Sequence, residues 1–314
     1  MLCTDTFLIA LYVLVDEFCK RCPARFEEQN IWDCGRKPSL SRSEVVTLSL
    51  FGQLWWFRSE RDFWRFATQR LKHLFPGLPD RAEFVRWQLR FCPTLEAFAV
   101  DMGQTLTPEG ALYEVIDRCG VATRWCGRRG RDWLGGYANK GLCSRLGYFW
   151  GLQLLCSVTE DGVITGYGVA PGSTKDQPMA TSLFMARQAG DSCLLSAGET
   201  SGGGFYVVDR GFSGKRRRVW WRELFDAQVV GPSQKGHGPS WPPEWSRWAA
   251  RLRQIVETVH DRLVNFFRLS RERPHCIEGF RARLAAKVGL HNCFIWLNRE
   301  LGRPALQFAD LLAW

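Results

Sequence analysis

Apolar positions recur at helical spacing over residues 7–19, with few breakers, and predict a first helix. Pro38 and the serines at 39, 41 and 43 read as a loop. Ser41 or Ser43 is placed to cap a second helix over 45–56, since a hydroxyl there accepts a bond from an orphan backbone N–H. Ser59-Glu60-Arg61-Asp62 forms another cap before an aromatic-rich helix over 63–74. Pro76, Gly77 and Pro79 end that helix, and Asp80 caps the next, over 82–92. Residues 1–107 are therefore expected to be all-helical, with short helices and tight turns. Such a region suits a helix-turn-helix reader of DNA as well as it suits a plain bundle.

After Gly110 the period becomes strand-like. Leu112-Tyr113-Glu114-Val115-Ile116 is a β-type run ending at Asp117, and a stretch rich in Gly and Arg extends from there to Gly141. Residues 147–158 form a long apolar strand, Glu160-Asp161-Gly162 a turn, and 163–169 its antiparallel partner. A helix over 177–188 precedes Phe205-Tyr206-Val207-Val208, a buried-type strand ending at Asp209. A basic loop, 215–218, leads to a short helix and a strand over 227–230. Residues 233–245 read as a Gly- and Pro-rich surface loop, 249–267 as an amphipathic helix and 280–300 as a last helix. The expected class is α/β: a mixed sheet flanked by helices over 108–314, behind the helical region.

The 314 residues carry 46% hydrophobic and 24% charged side chains, a balance that excludes disorder, collagen-like repeats and small disulfide scaffolds. Charge placement says more. Residues 1–110 hold 14 basic and 14 acidic groups, whereas 111–314 hold 28 against 18, so the whole excess of +10 lies behind the helical region and points to a polyanionic partner. The apolar run at 7–15 follows Asp5 with no basic residue before it and is too short to span a bilayer. A cytoplasmic protein with reduced thiols is expected, without a membrane partner. Twelve scattered cysteines make no disulfide framework. Cys19 and Cys22 have metal-ligand spacing and Cys34 follows, but no second close pair completes a zinc site, and plain thiols are the better reading.

Asp117 and Asp209 share a placement, each at the C-terminal end of a hydrophobic strand, the edge where α/β sheets bind ligands. Asp there is also a common turn residue. Glu257 lies mid-helix with Arg253 four residues before it, a spacing that equally makes an ordinary surface ion pair. Three acids from two strand ends and a helix can hold two divalent ions about 4 Å apart, and oxygen-only donors suit Mg²⁺ or Mn²⁺. Such a pair activates a water or a 3′-hydroxyl for attack on phosphate.

The segments "YVVDRGFSG" and "RLRQIVETVHDRL", with the first strand-end Asp, resemble the catalytic signature of bacterial insertion-sequence DDE transposases. "LSRSEVVTLSLFGQLWWFRSERDFWRFATQRLKHLFPGLPDRAEFVR" is similar to the helical region of one branch, the IS-nine-eighty-two group. "YFWGLQLLCSVTEDGVITGYGVAPGSTKDQPMA" resembles the family's hairpin between its aspartates, and "GLHNCFIWLNRELGRPALQFADLLAW" its C-terminal close. The resemblance implies an RNase H-like catalytic domain over 108–314 behind a DNA-binding region over 1–107. It places Asp117, Asp209 and Glu257 as metal-binding catalytic acids and Arg253 as a phosphate contact. Two positions depart from relatives: Ala250 and Val264 stand where a tyrosine and a lysine are found, with Trp248 and Arg262 nearby. Asp176 reads as a turn or cap residue, and Asp261 as a weaker rival to Glu257.

The implied reaction is phosphodiester hydrolysis at the element ends, then transfer of the 3′-hydroxyl into target DNA, with two Mg²⁺ or Mn²⁺ ions per site and no small-molecule cofactor. Implied partners are double-stranded DNA, both terminal inverted repeats and target, and a second copy of the chain, at the bacterial nucleoid. Lys140, Arg145, Lys215, Arg216, Arg217 and Arg218 are expected phosphate contacts, beside Arg124, Arg128, Arg129 and Arg131 around the first strand. Trp55, Trp56 and Trp64 read as core; Trp220, Trp221, Trp241, Trp245 and Trp248 are candidates for stacking on bases, and His260 as a helix-face residue near the site. The alternatives are an RNase H-like nuclease without strand transfer and an inactive DNA-binding relic.

Overall fold

The computed structural model describes residues 1–22, 38–124, 134, 136–188, 204–212, 214–232, 241–273 and 275–313. Among them are nine α-helices and a curled mixed sheet of six strands, an α/β protein as expected. Cys34, Arg128, Arg129 and Arg131, and most of the loop expected over 233–245, lie outside the described residues. The chain divides into two compact units, Met1–Ala99 with Glu278–Trp314, and Val100–Ile277.

The first unit is helical: α1 Thr4–Arg21, α2 Arg42–Phe51, α3 Glu60–Arg70, α4 Arg81–Arg90, α5 Cys92–Leu106, which runs on into the second unit, and α9 Ile277–Glu300. The caps are those the serines and Asp80 foretold. Ser41 Oγ accepts from the Glu44 N–H at 3.2 Å while Glu44 accepts from the Ser41 N–H at 2.6 Å, a reciprocal capping box. Ser59 and Asp80 cap α3 and α4 in the same way, through the N–H groups of Asp62 and Glu83.

The C-terminal segment, expected to stand with 108–314, belongs instead to this helical unit. The reason is α9, which is buried on nearly every face, as a polar-backed amphipathic helix would not be. Its Gly289 backbone approaches Leu50 and Phe98 so closely that a Cβ would sit 3.1 and 3.2 Å from them. Phe294 stacks on Phe7 with centroids 5.4 Å apart, and Arg281 grips the buried Glu96 through two bonds of 2.8 Å. Leu2 and Leu312 pair as a parallel bridge.

In the second unit the strands are β1 Glu114–Arg124, β2 Asn139–Cys143, β3 Gly147–Val158, β4 Ile164–Pro171, β5 Gly204–Val208 and β6 Ala227–Val230. β1 and β3 are antiparallel along their whole length; β2 and β4 share the far edge of β3, pairing with its first and second halves. β5 and β6 add in parallel beyond β1. The helices are α6 Asp176–Gln188, α7 Lys215–Phe225 and α8 Pro243–Asp261. Ile116, Tyr206 and Val208 form one core with Leu183 and Phe184 of α6 and Trp221 and Phe225 of α7. Trp221 is wholly buried there, its indole N–H donating to Thr181, so it is core and not a base-stacking surface. Alternation along β1 sends Asp117 and Cys119 to the side opposite Ile116, where residues of α8 share a cavity with them.

Three local expectations change. β1 runs on to Arg124, because its long partner β3 continues to bond it past Asp117. Lys215–Arg218 is the first turn of α7 and not a loop. α8 begins at Pro243, inside the expected loop, and ends in a π-helical turn, Arg262–Phe266, in which the Phe267 N–H bonds the Arg262 carbonyl at 2.8 Å. Among the described residues no helix is long and apolar enough to cross a membrane.

Candidate active site

The parallel pair β1/β5 aligns Ile116 with Val208 as its last pair, and the next residues are Asp117, still within β1, and Asp209, just past the end of β5. Asp117 is not past the end of its strand; it lies opposite Cys156 in the β1/β3 ladder and ends only the pairing with β5. Beyond Val208 the chain turns away in the short helix Arg210–Phe212, anchored by the fully buried Phe212. Asp209 Oδ1 accepts from the Gly211 N–H at 2.7 Å, which fixes the carboxylate at the turn. Gly211 must be small: a Cβ there would collide with the Asp176 carboxylate and come within 3.0 Å of Asp209 Oδ1.

Asp117, Asp176, Asp209, Glu257 and Asp261 line one cavity of about 850 Å³, together with Arg118, Arg145 and Arg253. Asp176, taken from the sequence as a turn or cap, opens α6 and pairs with Arg118 inside this cavity. Asp117 Oδ1 accepts from the Arg118 N–H at 2.8 Å. Burial first, and then the charge of Asp209, push the Asp117 carboxyl up to about 6; Glu257 adds to the rise, while the Arg118 N–H and Arg253 oppose it. Asp117 thus feels the charges of the other two expected acids.

Glu257 is exposed and held by Arg253 at 3.3 Å, so at present it is also the ordinary i, i+4 ion pair. Asp261 accepts from Asn265 at 2.6 Å, on the π-helical turn that brings Asn265 and Val264 to the cavity wall. His260 is buried one turn beyond Glu257 and lines the cavity with its Nε2 unbonded among the described residues. Burial, with Arg145 adding to it, pushes its imidazole down to about 4, so it is neutral at pH 7. Burial holds the neighbouring Cys119 thiol up to about 12. The ionised donors of the cavity are therefore carboxylate oxygens, a set that fits Mg²⁺ or Mn²⁺ and not a thiolate-bound metal. Among the described residues no three His, Cys, Asp or Glu side chains already stand as a closed cation site.

The expected phosphate contacts separate. Arg253 and Arg145 reach the acid cavity, Arg145 donating to the Gly120 carbonyl at 2.8 Å. Lys140 lines a neighbouring cleft with Arg118 and Lys175. Lys215, Arg216, Arg217 and Arg218 line neither cavity; the first three are exposed at the start of α7, and Arg217 lies 5.1 Å over the Trp220 ring. Trp241, Trp245 and Trp248 form an edge-to-face ladder at the start of α8 that ends on Tyr113. Cys19 and Cys22 are both free of disulfides. Arg118, Asn265 and the site position of Asp176 escaped the sequence reading. Asp176 and Arg118 carry no spacing signal, because they meet only through the fold.

The chain matches no protein-family model, no curated protein and no solved structure at a significant level of similarity.

Proposed function

We propose that the chain is a DDE transposase of the insertion-sequence type, resembling the IS-nine-eighty-two group, with an RNase H-like second unit. The observation that carries the reading is that Asp117 and Asp209, each the residue after the last pair of the parallel β1/β5 ladder, line one cavity with Glu257 of α8. A sheet whose antiparallel strands are followed by parallel ones, with helices packed on it, supports the RNase H-like assignment. The excess of +10, carried behind residue 110, supports a nucleic acid as the polyanion. So does α7: cations in the first turn of a helix oppose its dipole, so Lys215 to Arg218 weaken the helix they begin and suit an external anion better. The helical unit is assigned to the element ends. Partners in this reading are double-stranded DNA and a second copy of the chain, at the nucleoid.

Asp117, Asp209 and Glu257 would hold two Mg²⁺ or Mn²⁺ ions. These ions, when bound, supply an activated water or 3′-hydroxyl and neutralise charge on the leaving oxygen. Asp117, its carboxyl raised to about 6 by burial and by Asp209, would have to be ionised to hold a cation. Arg253, paired with Glu257 at 3.3 Å, would be a phosphate contact beside the metal-holding acids. Arg145 and Arg118 flank the same cavity as further donors to phosphate oxygens. His260, neutral and buried, offers a hydrogen-bonding nitrogen without adding charge.

Linear DNA carrying the element's own ends is the test substrate, with Mg²⁺ against EDTA. Wild-type protein is expected to cut at the ends and join them to target DNA. Asp209→Asn should lose at least about 100-fold in cleavage while binding DNA as well or better, since repulsion of phosphate falls. Cut ends without joined products identify a nuclease of the same fold; full cleavage by Asp209→Asn removes the site assignment.

A further inference from the structure

Beside the acid cavity, and sharing Arg118 and Leu142 with it, lies a second cleft of about 460 Å³. Its polar character is the reverse of its neighbour's: Arg118, Lys140 and Lys175 line it, and no carboxylate does. Lys140 and Lys175 are exposed, and neither has a carboxylate partner among the described residues. Tyr148 stands at the same cleft with 66% of its surface exposed. Register explains the arrangement. Tyr148 pairs with Leu142 across β2/β3, so Lys140, two residues along on the same face, reaches diagonally to place its Nζ 4.6 Å from the ring centroid.

The floor of the cleft is fixed before anything binds. Asn139 clamps the turn after β4, donating to Ser173 Oγ at 2.8 Å and accepting from the Ser173 N–H at 2.7 Å. Gln153 donates to the Gly172 carbonyl at 2.9 Å. Gly141 and Gly172 let the two backbones cross so closely that a Cβ on Gly141 would strike the Gly172 carbonyl. Lys175, three residues past that crossing, is thereby held across the cleft from β2.

Two lysines without acid partners, Arg118 shared with the acid cavity and paired there with Asp176, one exposed ring and a rigid backbone floor are the parts of a single-strand site: phosphates track the cations and a base stacks on the ring. A duplex keeps its bases stacked on one another and cannot offer a ring face. We propose that this cleft binds unpaired nucleotides of the DNA strand that continues from the acid cavity, with one base stacked on Tyr148 and the backbone held by Lys140, Lys175 and Arg118. The proposal rests on the phosphodiester chemistry assigned above, and its test does not need cleavage.

Fluorescence anisotropy in EDTA compares a blunt duplex with the same duplex carrying a four-nucleotide single-stranded extension. Wild-type protein is expected to bind the extended DNA about tenfold more tightly, as one stacked base allows. Tyr148→Ala should erase that preference with blunt-duplex affinity and melting temperature unchanged, whereas Tyr148→Trp should keep it. Lys140→Ala with Lys175→Ala should also remove the preference and lower the salt dependence of binding to the extended DNA. Equal wild-type affinity for the two DNAs, or a preference that survives Tyr148→Ala, overturns the proposal. If the preference depends on Tyr148 but no metal-dependent cutting occurs, the single-strand site stands and the transposase reading falls; cutting without the preference has the opposite meaning.

Discussion

Asp117 is a carboxyl of the site that its surroundings raise. Its carboxyl, pushed up to about 6 by burial and by Asp209, sits above the value of about 3.9 for an unfolded chain. Between those two values the folded protein binds a proton that the unfolded chain has lost, so wild-type stability falls as pH rises through that window. Asp117→Asn carries no such cost. In EDTA it should be more stable than wild type by about 2 kcal/mol at pH 8, with the difference vanishing towards pH 4. Urea unfolding at several pH values reads this directly, and a pH-independent difference would show that the Asp117 carboxyl is not raised by its surroundings. Adding Mg²⁺ should raise the melting temperature of wild type and not of the variant. Glu114, three residues earlier, shows the contrasting use of a buried acid. Burial raises its carboxyl, but Arg187 at 2.7 Å, with Ser157 and Thr165, outweighs that and holds it below the ordinary range. An ion-paired acid on one face of β1 and one raised by burial on the other lie within four residues.

At the scale of elements, helix starts were legible and helix company was not. Ser41, Ser59 and Asp80 announce their helices because a cap is a local bond between residues three apart. α9 has no such locality. Its apolar residues circle the helix, which says that it is buried but not against what. Gly289 is the point of closest approach, and Gly289→Leu should destabilise the helical unit by about 2 kcal/mol through overpacking against Leu50 and Phe98. Chemical denaturation followed by the fluorescence of the unit's tryptophans tests it; an unperturbed unit would mean that α9 does not fill that core. Basic residues misled in the opposite sense, since a run of Lys and Arg at 215–218 reads as solvated loop when its surroundings decide that it opens a helix.

For the whole molecule, charge placement is the property with measurable consequences. If the cations of 111–314 meet phosphates, DNA affinity falls linearly on a log–log plot against salt. Neutralising Lys215, Arg216, Arg217 and Arg218 to Gln should reduce that slope by about 3, and leave melting unchanged or higher, because these cations oppose the dipole of α7. An unchanged slope would place α7 away from DNA.

What the sequence determined by itself is what depends on near neighbours: the α/β class, the caps, the apolar strands, the acids that follow β-type runs and the separation of neutral from basic chain. Asp117, Asp209 and Glu257 were legible because each carries a local mark, two at strand-like runs and one on a helix four residues from Arg253. Their common cavity was decided by the β1/β5 register, which no local pattern encodes. Asp176 and Arg118, 58 residues apart in the sequence, became part of the site only through contact in the fold. Tyr148 looked like one more residue of an apolar strand until its pairing with Leu142 of β2 set it beside Lys140 at the second cleft, 66% exposed. Periodicity reports which face of an element is apolar; only tertiary packing decides what that face meets.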